Sequence, residues 1–533
     1  MKNKLLLISF AILPVLLFIL EIILKNSKGE YYLFYNYDGP YPYLLASLNI
    51  AQNLQPGFLQ HPGIFPQLII ATVIKFTYIF QGMDANIVLD TINRPELYLQ
   101  RVNMVFTILN VTALYFLGYV SYIKIGNIFA AIFIQFTPFI SKLIIYQLTL
   151  IIPEPILIFL ILVLLTITIS FLNEKVLTKK KNLIYIILFG ITCGLVLATK
   201  ISALPIMIIP FLLLKKFIYK SYFVLIAFIT FSILFFPICP ESSVIWIYVF
   251  NNILHSGKYG AGPANFVNID QIIPKIEQLF NEYIFFCIIY LLIIVILMMQ
   301  FVPKFKNQIR SNKYFLLIAG IFVIMSAFIL LVIKQNELYY LLPALMFSVV
   351  GLFAVNSVVS DLLPKFFSKS SYLYIYFVFV IFTIPNTISF KNSISWFSIR
   401  KNESHKIIKY LNDNHRNSII VSSDLTSSMP TALYSGLNFA GGEIERYFSI
   451  LTQKYPDYIY FQRWTKEFVY LEDNKNLKNK LLNSNTIVFH SVDDANLIDF
   501  KKIIIELTKN PNLIFKEVYS NKNGEKVYLV TLK

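Results

Sequence analysis

Two carboxylic acids, Asp38 and Glu154, stand where proton transfer at a membrane surface could use them. Asp38 lies in Tyr31-Tyr-Leu-Phe-Tyr-Asn-Tyr-Asp-Gly-Pro-Tyr-Pro, beyond an apolar run from Leu5 to Leu24. Six tyrosines fall between positions 31 and 43, and Gln60-His61-Pro62-Gly63 follows in the same long connection. An aromatic, partly desolvated loop can hold a carboxylate as a base beside a sugar or a lipid headgroup. Asp-Gly-Pro is equally an ordinary turn signal. Glu154 lies in Ile151-Ile-Pro-Glu-Pro, between two apolar runs. It could act on substrate, or it could complement the dipole of the helix that it opens.

Several cations could serve an anionic group. Lys200, in Ala198-Thr-Lys-Ile-Ser-Ala, sits alone between two apolar runs. It needs either an anionic partner or a path to the interface for its ammonium. The stretch Asn251-Asn-Ile-Leu-His-Ser-Gly-Lys-Tyr-Gly-Ala-Gly-Pro263 joins His255 and Lys258 to glycines, whose amides can approach an anion closely. Arg101 and Lys334 are further cations, each also readable as an interface anchor. Cys193, Cys239 and Cys287 have unrelated spacings and form no metal motif. Acids in outer loops could bind a divalent metal, yet no cluster has ligand spacing.

The elements that must position these residues are membrane helices. The chain has 533 residues, 57% of them hydrophobic and only 14% charged, with a mean hydropathy of +0.65. Such a chain is a polytopic membrane protein. Its formal charge of +17 would suit nucleic acid, but the basic residues cluster in short loops between apolar runs, the pattern that orients helices. No nucleic-acid partner is expected. Residues 1–28 read as an uncleaved first helix with a cytoplasmic N-terminus.

Twelve apolar runs are candidates to cross. If 64–82 crosses, the loops 174–181, 215–220, 304–313 and 365–369 all fall outside, against the positive-inside rule. If it is a juxtamembrane or re-entrant segment, those loops lie inside with Lys2, Lys4 and Lys124, giving sixteen basic residues against Glu174 and Asp361. Pro66, Gln67, Lys75 and Gln81 also weaken 64–82 as a span. The expectation is about eleven transmembrane helices within residues 1–390, with outer loops 25–100 and 240–282. The polar tail 391–533 alternates strand-like runs (Ser418-Ile-Ile-Val-Ser, Thr486-Ile-Val-Phe-His) with helical stretches at 403–412 and 497–508. It reads as an extracytoplasmic α/β domain.

These residues resemble the GT-C superfamily of polyprenyl-phosphate-dependent glycosyltransferases, in particular its protein O-mannosyltransferase and lipid A aminoarabinose transferase branch. That branch carries an acid in the first outer loop, a histidine-proline element and a basic residue opening the next helix. Asp38, His61-Pro62 and Arg101 look like these. Phe136-Thr-Pro138 followed by Glu154 resembles its second acid, and Gly194 through Thr199-Lys200 its threonine-lysine element. His255-Ser-Gly257 and Tyr339-Tyr-Leu-Leu-Pro343 resemble later elements of the branch. The resemblance implies an α-helical, GT-C-like polytopic protein in a cell membrane, naturally a bacterial inner membrane with the tail in the periplasm. It implies transfer of a sugar from a polyprenyl-phosphate carrier to a hydroxyl on a lipid, glycan or protein acceptor, with no cofactor demanded. Asp38 would be the base of a single inverting displacement. Glu154, His61, Arg101, Lys200, His255 and Lys258 would bind substrate. A lipid or polysaccharide transporter or flippase is the alternative. It would need no acids in outer loops and would work by alternating access.

Overall fold

The computed structural model describes residues 2–59, 63–236, 243–364, 371–462, 465–469 and 486–531. His61-Pro62, Cys239 and the loop 365–369 lie outside the described residues.

Among the described residues eight helices are long and apolar enough to cross a membrane. A ninth span results if Ile269–Glu282 and Ile284–Met299, bent by 107°, count as one. The eight include Ile64–Gln81, which was not among the eleven expected, so even with the ninth three expected runs are absent: 371–388, which lies within Ser371–Asn414, and two that form shorter pieces. The run 127–145 is broken into Ile128–Gln135, Thr137–Ile140 and Lys142–Leu148, with Pro138 opening the middle piece and the Ser141 hydroxyl capping the last. The run from 201 gives Ile201–Met207 and Ile208–Leu213, each with an internal proline. The helices Pro153–Leu172 and Leu342–Leu362 form the centre, buried almost throughout by their neighbours. Phe217–Phe235, only 11% buried in its apolar window, is peripheral and offers its apolar surface to lipid.

One face of this bundle gathers the end of the first helix, Lys2–Lys28, and the starts of Pro95–Ile125 and Pro153–Leu172. It also carries the ends of Lys179–Thr199 and Phe315–Gln335. Contacts tie these ends together. The Tyr31 amide donates to Glu96 (2.9 Å), Lys28 donates to Thr149 (2.6 Å), and Lys200 meets Glu154. The described basic loops share the opposite face. There Glu174 takes Lys124 at 2.6 Å and Lys181 at 2.5 Å, and Lys313 donates to Asn173 at 2.6 Å. Lys215, Lys216 and Arg310 border the same cleft.

Helix Ile64–Gln81 passes the length test, yet both its ends touch the face that carries Asp38. Ile64 packs on Phe235, where the helix leading to the 243–263 region ends, and the Gln81 carbonyl accepts from Arg94 just before Pro95. An 18-residue helix is about 27 Å long. Both of its ends meet segments of this face.

The tail forms a six-stranded sheet in the order β3-β2-β1-β4-β6-β5, with β1 Ile419–Ser423, β2 Tyr458–Gln462, β3 Glu467–Phe468, β4 Ile487–Ser491, β5 Ile514–Ser520 and β6 Lys526–Thr531. β1 pairs in parallel with β2 and β4, and the other neighbours are antiparallel. Both strand-like runs seen in the sequence are strands, and 497–508 lies within the helix Asp494–Thr508. The stretch 403–412 is not a separate helix. It is the end of Ser371–Asn414, which runs unbroken through position 390.

The sheet domain packs directly on the loop that bears Asp38. The Phe34 amide donates to the Ser427 hydroxyl (3.0 Å) and the Ser428 amide to the Tyr32 carbonyl (3.2 Å). The Leu425 amide donates to the Tyr37 hydroxyl. Asn49 and Tyr447 join the domains at 2.6 Å. Gly57 lies so near Phe439 and Gly441 that a Cβ there would fall 2.2 Å from the Gly441 nitrogen. Only glycine allows that approach.

Candidate active site

The turn after Asp38 brings the two acidic loops together. Gly39 adopts φ +106°, and a Cβ there would stand 2.6 Å from Ile152 Cγ2. A side chain at 39 would therefore drive the Asp38 turn off the loop that leads to Glu154. Pro40 then opens the helix Pro40–Ala51, and Pro153 opens Pro153–Leu172 with Glu154 in its first turn.

Asp38 is exposed, and no hydrogen bond or ion pair holds its carboxylate among the described residues. Crowding by surrounding protein raises its pKa above the ordinary 3.8, and the Lys258 ammonium draws it back in part. The charge of Asp38 is also felt at the hydroxyls of Tyr146 and Tyr259.

Glu154 is different. It is buried and forms a 2.5 Å ion pair with Lys200, itself buried. The Lys200 ammonium also lies 5.1 Å and 4.8 Å from the ring centroids of Tyr339 and Tyr340. The cavity against this pair, walled by Ser202, Tyr340 and Pro343, has a volume of about 10 Å³. That is room for at most one water.

The 251–263 loop completes the arrangement. Lys258 pairs with Glu337 at 3.1 Å. Burial alone would lower the Lys258 pKa, but Glu337, Tyr259 and Asp38 together hold it above its ordinary range. Tyr259 has φ +56°, uncommon for a side chain of its size, and its hydroxyl meets that of Tyr339 at 3.4 Å. The Gly257 amide donates to the Lys334 carbonyl (2.8 Å), while the Lys334 ammonium donates to the carbonyls of Ile253 (3.0 Å) and Phe266 (2.9 Å). Lys334 thus pins the loop, a task its sequence position did not suggest. His255 sits within the loop, its Nδ1 3.2 Å from the Gly262 carbonyl.

The structure therefore gathers Asp38, Lys258, Glu154 and Lys200 around Tyr259, Tyr339 and Tyr340. Arg101 is elsewhere: it is exposed on its helix and hydrogen-bonds Gln81 at 3.3 Å. A cavity of about 550 Å³ lies alongside, walled by Tyr146, Tyr283, Leu338, Trp396 and Phe397. Among the described residues no three His, Cys, Asp or Glu side chains group so as to hold a metal.

Two solved structures share this architecture. They are crystal structures of ArnT from Cupriavidus metallidurans, one bound to undecaprenyl phosphate and one in the apo state. The superpositions have TM-scores of 0.51 and 0.52, with 9% and 11% identity, and cover 97% of this chain and 97% of ArnT in each case. The chain shares the fold of ArnT. No family model and no curated protein sequence matches it. At this identity the likeness shows the fold, and coverage of both chains extends it across the membrane bundle and the sheet domain alike.

Sequence reasoning missed Glu337, Tyr259 and the buttress behind Asp38. Glu525 is buried in the sheet domain and accepts from the Ser427 amide (2.6 Å) and hydroxyl (2.9 Å). Ser427 in turn receives the Phe34 amide, four residues before Asp38. Burial would raise the Glu525 pKa, but His490, the Ser427 amide and Asn521 hold it below the ordinary range. Glu525 sits in the polar turn Asn521-Lys-Asn-Gly-Glu-Lys526, so no local pattern marks it as buried.

Proposed function

We propose that this chain transfers a sugar from a polyprenyl-phosphate carrier to an acceptor hydroxyl. Asp38 acts as base, in one displacement that inverts the anomeric carbon. The observation that supports this most is the contrast at Asp38: a carboxylate without an ion pair among the described residues, raised above its ordinary pKa, on the face where five helix ends and two cations converge. The fold likeness to a protein crystallised with undecaprenyl phosphate supports the donor class. A carrier phosphate leaves without a general acid, so one base is enough. Lys258, held by Glu337, stands near Asp38 to steady the phosphate's growing charge, and Lys200 adds positive potential from behind its ion pair with Glu154. The 550 Å³ cavity has aromatic and apolar walls suited to an isoprenoid chain. Glu154 positions Lys200 through their ion pair.

The test is a lipid extract from cells carrying the wild type or Asp38→Asn, analysed by mass spectrometry. A sugar-linked polyprenyl phosphate that builds up only in the variant is the expected result, and its mass identifies the donor. Equal carrier pools, with the variant normally expressed and the sugar still reaching its acceptor, would refute the base.

A further inference from the structure

A second polar cavity, about 330 Å³ in volume, lies between the first helix and Pro95–Ile125, away from the cluster around Asp38. Its lining includes Glu21, Lys25, Glu30, Asn103, Thr107 and Lys401. Glu21 is 2% exposed within a membrane helix. One carboxyl oxygen takes the Thr107 hydroxyl at 2.7 Å, and the other has no partner among the described residues. A carboxyl oxygen buried in this way is costly unless a donor meets it.

The walls narrow the identity of that donor. Two acids, Glu21 and Glu30, face two ammonium groups, Lys25 and Lys401. Lys25 is anchored by the Gly29 carbonyl (2.5 Å) and the Tyr31 ring (3.5 Å to its centroid). Glu30 is paired with His405 at 3.1 Å, and Lys401 reaches the Asn26 carbonyl at 3.3 Å. A purely anionic group would leave Glu21 unmet, and a simple amine would face two lysines. A group carrying both a phosphate and a primary ammonium satisfies both signs.

The mouth of the cavity indicates the rest of the ligand. Ile22 and Met104 line it. One turn deeper on each helix stand Ile19 (45% exposed) and Ile108 (51% exposed). The first helix enters the bilayer towards its N-terminus and the second towards its C-terminus. Both apolar strips therefore run from the cavity into the hydrocarbon. We infer that this cavity binds an aminophospholipid of the leaflet on the Asp38 face, with its ammonium on Glu21, its phosphate by Lys25 and Lys401, and its chains along Ile19 and Ile108.

Native mass spectrometry of the protein, released from nanodiscs holding equal phosphatidylethanolamine, phosphatidylcholine and phosphatidylglycerol, tests this. Phosphatidylcholine has the same charges but no N–H donor. The wild type should retain phosphatidylethanolamine about tenfold over either other lipid, the size of effect a charge-assisted hydrogen bond gives. Glu21→Gln should bring phosphatidylethanolamine down towards phosphatidylcholine. Lys401→Gln, at the rim, should lower retention of all three. Equal retention by the wild type, or a preference unchanged in Glu21→Gln, overturns the assignment. The wild-type comparison decides the matter even where a variant fails to fold.

Discussion

Asp38 and Glu154 occupy the same face of the bundle, with the Gly39–Ile152 contact between their loops. Asp38 is exposed and carries no ion pair among the described residues, whereas Glu154 is buried against Lys200 at 2.5 Å, beside a cavity of about 10 Å³. A base needs a free lone pair and space for the group that gives up the proton. Glu154 has its lone pair engaged by an ammonium and no room beside it. On the proposed reading the difference gives chemistry to Asp38 and positioning to Glu154, although in the sequence both are single acids close to prolines.

The largest expected effect tests the first half of this contrast. Asp38→Asn should slow transfer by on the order of 10² to 10⁴ with little change in thermal stability, since the side chain is exposed. The acid limb of kcat/KM should lie above pH 3.8, because the carboxyl is raised and acts only when ionised. Lys258→Gln removes the pull that lowers it, so the limb should move to higher pH. An acid limb that stays in place in that variant would separate Lys258 from the base.

The second half predicts a loss of stability. Glu154→Gln leaves the Lys200 ammonium buried without its anion, a loss of about 3–5 kcal/mol when one partner of such a pair is removed. Glu154→Gln combined with Lys200→Met should recover much of that stability while transfer stays low. Denaturation of the single and double variants gives the coupling directly. Stability unchanged in Glu154→Gln would return Glu154 to the role of a free acid.

Much of this arrangement was legible in the sequence for definite reasons. Charge asymmetry marked the basic loops, and those among the described residues share one face. The polar breaks Pro66, Gln67 and Gln81 marked Ile64–Gln81, whose ends lie on a single face. Alternating apolar runs marked β1 and β4. The rest depends on contacts between residues far apart in the chain. Lys258 finds Glu337, and Phe34 finds Ser427, across separations that no local pattern encodes. The boundary at 390 was invisible as a helix interior, because the polarity changes there while the backbone does not. Arg101 is the open case: the order of motifs places it at the site, and in the structure its guanidinium meets Gln81 at 3.3 Å.

The buttress behind Asp38 yields a smaller effect. Ser427→Ala removes the acceptor of the Phe34 amide and one donor to Glu525, costing about 1–3 kcal/mol of local order. The Asp38 loop should then show faster amide exchange near Phe34, with transfer reduced less than in Asp38→Asn. Unchanged exchange there would mean that the sheet domain only touches the loop.

The smallest effect is the sharpest check on reading sites from motif order. The resemblance gives Arg101 a place in binding the donor, while the structure leaves it exposed with one 3.3 Å contact to Gln81. Surface changes of this kind shift stability by no more than about 0.5 kcal/mol. Arg101→Gln should therefore leave both stability and the KM for the carrier near wild type, in contrast to Lys258→Gln. A large rise in KM for Arg101→Gln alone would show that the donor draws this arginine in from the surface. The gathering of Lys258 and Lys200 around the two acids would then be only part of the donor site.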